Sequence, residues 1–177
     1  LNKKYKECDK LLSSMDVIPF EGSTDGRALY WEAKMMQAVA ALKNKNYKTA
    51  IQFIHEAQEW PENLGAGKPY ESDIDSRLEQ YLQYVCLKQL NKIDSAQALL
   101  KKITAFKPGI YNTIRNFQAA NNLITKWAYN ELHESFDWNA WMQTQINKYP
   151  QFKETFNWVL RKANNNNDSN LASEDPW

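Results

Sequence analysis

Apolar side chains recur three and four positions apart along most of the chain, the spacing of helix faces that pack on one another. Tyr5, Cys8, Leu11, Leu12 and Met15 mark a first helix over residues 3–15. A loop at 18–25 follows, with Pro19, Gly22 and the capping residues Ser23, Thr24 and Asp25. Leu29, Ala33, Met36 and Ala40 then trace a long helix over 27–44. The polar turn Asn44-Lys45-Asn46 sends the chain back through a helix over 47–60, which Pro61 ends. Asp73 or Asp75 can cap the next helix, whose stripe is Leu78, Leu82, Val85, Cys86, Gln89 and Leu90. Asn91-Lys92 turns the chain into a helix over 94–106, broken at Pro108-Gly109. Ile114, Phe117, Ala120, Leu123, Ile124, Trp127 and Leu132 mark a longer segment over 111–133. Two final helices span 138–148 and 151–163, split at Tyr149-Pro150, and residues 164–177 read as a flexible polar tail.

Two of these helices share a pattern. Tyr47-Lys48-Thr49-Ala50 precedes Ile54, Ala57, Trp60 and Pro61, and Ile93-Asp94-Ser95-Ala96 precedes Leu100, Ile103, Phe106 and Pro108. Each resembles the second helix of a tetratricopeptide (TPR) unit: a small residue at the helix crossing, large residues after it, then a terminating proline. The two alanines lie 46 residues apart, whereas a TPR unit repeats about every 34. The excess falls in an insertion that runs from Glu62 to Asp73. Tyr5, Cys8, Leu12 and Pro19 repeat the offsets of Tyr47, Ala50, Ile54 and Pro61. The first helix therefore reads as the second half of a preceding unit, and the chain as a piece of a longer array. The expected fold is all-α: a right-handed array of TPR-like helical hairpins with C-terminal capping helices. Its units are 1–19 (partial), 27–61, 74–108, a degenerate 110–150, and a cap at 151–163.

Composition narrows the chemistry. Hydrophobic residues make up 43% of the 177 residues and aromatics 13%, enough for a sizeable core in which rings fill the space between helices. The net charge is +1, with Lys and Arg spread along the chain, which gives no electrostatic case for nucleic acid or a membrane surface. Cys8 and Cys86, far apart in the chain, fall at apolar helix positions and do not make a disulfide framework. No run of 18 apolar residues is present to span a membrane. His55-Glu56 and His133-Glu134 each lack the second histidine of a zinc helix. Gly65-Ala66-Gly67-Lys68-Pro69 lacks the third glycine of a dinucleotide fingerprint, and Pro69 stands where a P-loop needs Ser or Thr. No catalytic, metal or cofactor residue is expected.

Two places remain as candidate binding surfaces. The insertion and its edge carry Trp60, Asn63, Lys68 and Tyr70. It reads either as a wedge filled by its own Leu64 and Tyr70 or as a loop that contacts a ligand or another domain. The first helices of the hairpins present Glu32, Met35, Val39 and Lys43, then Tyr81, Val85, Lys88 and Gln89, a mixed apolar and polar set suited to a peptide or helix.

Val17-Ile18-Pro19-Phe20-Glu21-Gly22, Gly26-Arg27-Ala28-Leu29-Tyr30 and Trp60-Pro61-Glu62-Asn63-Leu64-Gly65-Ala66-Gly67-Lys68-Pro69-Tyr70 carry a further likeness. Over residues 1–107 the chain resembles the C-terminal TPR region of large Bacteroidetes proteins that have an N-terminal β-rich domain of unknown function. Tyr84, where a small residue is usual, and Ala41, where an aromatic is usual, depart from the general TPR pattern. The resemblance implies no catalytic residue. The expected function is a non-catalytic, monomeric scaffold that docks a protein, a peptide or another domain of its own chain. Carbohydrate recognition through Trp60 and Tyr70 is the alternative.

Overall fold

In a computed structural model, residues 3–19, 25–107 and 120–164 are described. All regular secondary structure among them is helical. The helices are α1 (Tyr5–Ser14), α2 (Asp25–Lys43), α3 (Tyr47–Ala57), α4 (Arg77–Gln89), α5 (Ile93–Ala105), α6 (Asn122–Leu132), α7 (Trp138–Lys148) and α8 (Lys153–Asn164). Short 3₁₀ turns lie at Glu62–Leu64, Glu71–Asp73 and Pro150–Phe152. The sequence spacing placed these helices within a few residues, and α7 on its own bounds. The start of the expected 111–133 helix and the 165–177 part of the tail lie outside the described residues.

From α1 to α6 each helix packs on the next. The pairs α2/α3 and α4/α5 are hairpins closed by the same turn. At the first, Lys45 N–H bonds Leu42 C=O at 2.9 Å and Asn46 N–H bonds Ala41 C=O at 2.8 Å. At the second, Asn91 N–H bonds Lys88 C=O at 3.1 Å and Lys92 N–H bonds Leu87 C=O at 2.9 Å. This is the Schellman arrangement, which needs a left-handed residue at its centre. Lys45 (φ 59°) and Asn91 (φ 56°) supply it, at the same interval as the two crossing alanines.

Those alanines do what their size allows. Ala50 is fully buried, with Ala38, Ala41, Ile54 and Cys86, in the seam joining α2, α3 and α4. Ala96 packs with Tyr84, Leu87, Leu100, Ile103, Ile124 and Ala128 in the seam joining α4, α5 and α6. Small residues at these crossings let helix axes approach closely. Ala41, where an aromatic is usual, is buried within the first seam, and Tyr84 is buried within the second.

Beyond α5 the packing departs from the expected hairpin. The C-terminus of α6 has the same turn, with His133 at φ 56°, but α7 packs chiefly on α8. Leu123, Trp138, Met142, Phe156, Val159 and Ala163 form a separate core there. Helix α6 is the shared wall: Ile124 and Ala128 face the hairpin core and Leu123 faces the terminal one.

A lysine in the left-handed region carries a steric penalty of about 1 kcal/mol that glycine avoids, partly offset by glycine's freedom in the unfolded chain. Lys45→Gly is therefore expected to stabilise by about 0.5 kcal/mol and raise the melting temperature, with a smaller gain for Asn91→Gly. A fall in melting temperature for Lys45→Gly would show that the turn is not held as described.

Candidate functional site

The insertion is built into the fold. Its first turn buries Leu64, which packs with Leu12 and Tyr30. Asn63 Nδ2 donates to Leu12 C=O at 3.0 Å and to Met15 C=O at 2.8 Å, capping the end of α1. Val17 N–H returns a bond to Asn63 C=O at 2.8 Å. Gly65 is left-handed (φ 67°), and a Cβ there would lie 2.7 Å from Val17 C=O. Of the two residues expected to tuck inward, Leu64 does so, while Tyr70 is 81% exposed. Tyr70 stays out because the chain from Gly67 onward runs along the surface, where Lys68 pairs with Glu71 at 2.6 Å. Gly65→Ala meets both the clash and the φ penalty, and an expected loss of about 2 kcal/mol is readable as a lowered midpoint in urea. An unchanged midpoint would mean that the insertion does not rest on α1.

Buried charge concentrates at the N-termini of α2 and α4. Arg27 donates to Ala57 C=O at 2.6 Å, and its guanidinium lies 4.6 Å from the Trp60 ring centre. Arg77 forms a bidentate pair with Asp75 (2.9 and 2.7 Å), reaches Asn122 and Thr125 on α6, and lies 4.4 Å from the Phe106 ring centre. Asp75 also accepts from the Arg77 backbone N–H at 3.2 Å, so it, and not Asp73, prepares the start of α4. Trp60 therefore has one face covered by Arg27, which reduces the ring area available to a sugar.

Glu79 follows Arg77 in the first turn of α4 and is 6% exposed. Its Oε1 accepts from Trp31 Nε1 at 2.6 Å, and Oε2 is buried without a hydrogen bond. Burial raises the pKa of this carboxyl, with the Trp31 bond and Arg27 pulling the other way. A carboxyl raised on folding binds its proton more tightly in the native state, so its contribution to stability falls as pH rises from the unfolded value through the folded one. Glu79→Gln keeps an acceptor for Trp31 and removes the buried charge. Its melting temperature, relative to the parent chain, is expected to gain as pH rises from 4 to 7, on the order of a few degrees; a gain that shrinks with pH would contradict this.

On the first helices, the candidates divide. Met35 is 4% exposed and belongs to the core, because its position on α2 faces the neighbouring helices. Lys43 is exposed at the end of α2. Tyr81 and Lys88 belong to one cluster between α4 and α6. Tyr84 Oη donates to Glu131 Oε2, and Lys88 Nζ reaches the same oxygen at 2.8 Å. The bonds from Lys88 and Tyr84 hold the Glu131 carboxyl below its usual range, while the same contacts raise Lys88. Tyr81, Trp127, Asn130, Glu131 and His133 line an open cleft of about 380 Å³. Trp127 is 41% exposed there, its ring centre 5.5 Å from that of Tyr81.

The sequence singled out Tyr81 and Lys88 but missed Trp127 and Glu131. Trp127 belonged to the apolar stripe of α6, and spacing alone does not separate the edge of a stripe from its centre. Cys86 is buried and its thiol is pushed up to about 11, which makes it unreactive, as its position suggested. Among the described residues no cluster of His, Cys, Asp and Glu could hold a metal ion, and no helix is long and apolar enough to cross a membrane.

No protein-family model, curated protein or solved structure matches the chain.

Proposed function

We propose that the chain is a TPR-type scaffold, a right-handed array whose first helices form a docking face for a protein segment or for another domain of its own chain. The doubled hairpin carries this reading. The turns at Lys45 and Asn91 are the same motif at the same interval as the crossing alanines. The packing order supports it: α4 packs on α3 and α6 packs on α5, and α6 also meets α4, as the first helix of each TPR unit meets the unit before it. The insertion adds a wedge at the open end of the first hairpin without altering its closed end. Lys43, Tyr81 and Lys88 are the candidates that remain at or near the surface of the first helices.

Site-specific photo-crosslinking in cells that make the protein tests the reading. A photoreactive residue placed at Lys43 or Lys88 is expected to give discrete protein adducts or an intramolecular product, whereas Gln52 and Lys101, exposed on the second helices, are expected to give none. Equal adducts from both sets, or adducts from the second helices alone, would refute a docking face on the first helices.

A further inference from the structure

We propose that the cleft between the C-terminal halves of α4 and α6 binds a neutral sugar ring. Its walls supply the two elements that such a ligand needs. The first is an aromatic platform. Trp127 packs against the partly buried Tyr81, ring centres 5.5 Å apart and planes tilted by 41°, and keeps 41% of its own surface open. The apolar face of a pyranose, with its axial C–H groups, packs on such a ring.

The second element is a held set of polar groups. Glu131 has one oxygen, Oε2, fixed by Tyr84 and Lys88. Its Oε1 takes no hydrogen bond among the described residues and remains an acceptor for a hydroxyl. The Asn130 amide, exposed one position earlier, offers a donor and an acceptor. His133 lines the same cleft, and the left-handed turn at φ 56° fixes its backbone at the rim. A volume of about 380 Å³ lies at the small end of ligand clefts, which suits one or two sugar rings.

Charge decides among ligand classes. A cation stacking on Trp127 would gain little from Glu131, which Lys88 already neutralises. An anion would meet that carboxylate. A neutral polyol meets neither objection and uses every group present. One carboxylate lines the cleft, whereas glycoside hydrolysis ordinarily takes a pair; the inference is of binding. It does not depend on the docking reading, because a sugar cleft needs no protein partner and would stand even if Lys43 and Lys88 gave no adducts.

The test is a titration of the chain with methyl glycosides of glucose, galactose, mannose and N-acetylglucosamine and with their short oligomers, followed by NMR of indole and Asn amide signals. At least one sugar is expected to shift the Trp127 indole and Asn130 amide signals saturably. Trp127→Ala, at an exposed position, should keep the fold and weaken that binding by about tenfold, equivalent to ~1.4 kcal/mol. Glu131→Gln should weaken it less, and Trp60→Phe should leave it unchanged. Silence of the Trp127 signal toward every sugar, binding that survives Trp127→Ala, or a response to unrelated peptides alone would each overturn the proposal. Circular dichroism of each variant separates lost binding from lost fold.

Discussion

Each hairpin is closed at one end by a backbone turn and at the other by an arginine stacked on an aromatic ring, and the second closure constrains everything beyond it. Arg27 lies over Trp60 and Arg77 over Phe106. The rings follow the ends of the two second helices, at the same offset from Lys45 and from Asn91. On the first helices, Arg27 precedes its turn by about one helical turn more than Arg77 does, so both project from the same helix face. A guanidinium is well suited to this place. It stacks on the ring with its plane while its edges donate, Arg27 to the last carbonyl of α3 and Arg77 to Asp75 and to α6. Each clasp therefore sets both where the second helix stops and how the following element sits.

The extra length of α2 and the insertion belong together. Helix α2 has 19 residues against 13 in α4. The added length carries Gly26 to Leu64, where a Cβ would sit 3.4 Å from the Leu64 carbonyl. Leu64 in turn contacts Leu12 of α1. The added residues thus fill a gap that a longer first helix would otherwise leave beside the end of α1. The insertion that stands out in the repeat arithmetic is, in its first half, a packing element. Glu62 and the run from Gly67 to Ser72 stay at the surface, Tyr70 and Lys68 among them.

How much of this was legible depended on the kind of signal. Helices, turns and crossing alanines were readable because 3.6-residue periodicity and turn chemistry are local. Met35 was misplaced because one apolar residue in an Ala-rich helix does not reveal which of two flanking helices it meets. The clasps were not legible: Arg27 and Trp60 are distant in the chain, and nothing in a single sequence marks an arginine as buried. The Tyr84 departure from the usual small residue was visible, but its reason, a hydroxyl that reaches Glu131 on α6, needed the third dimension. A degenerate third unit was expected over 110–150, yet the periodicity did not show that α7 turns away to α8.

Polar latches tie α2 to α1, α3 and α4, and α4 to α6. Lys34 on α2 bonds Asp9 on α1 and Glu56 on α3, each at 2.7 Å, and burial opposes its charge less than these bonds favour it. Trp31 on α2 bonds Glu79 on α4, and Arg77 on α4 bonds Asn122 and Thr125 on α6. Near the other end of α4, Tyr84 and Lys88 hold Glu131. Alanine makes up most of the buried first seam and less of the second, and apolar contacts of this kind carry no directional preference. A charged group half removed from water does not tolerate a slip, which would strand the charge without its partner. Apolar burial thus supplies attraction between hairpins, while the latches set their register. The α4–α6 latch occupies only one Glu131 oxygen, and Trp127 beside it stays 41% exposed. The cleft is consequently a by-product of how the helices are aligned, held in shape by contacts that the fold already requires.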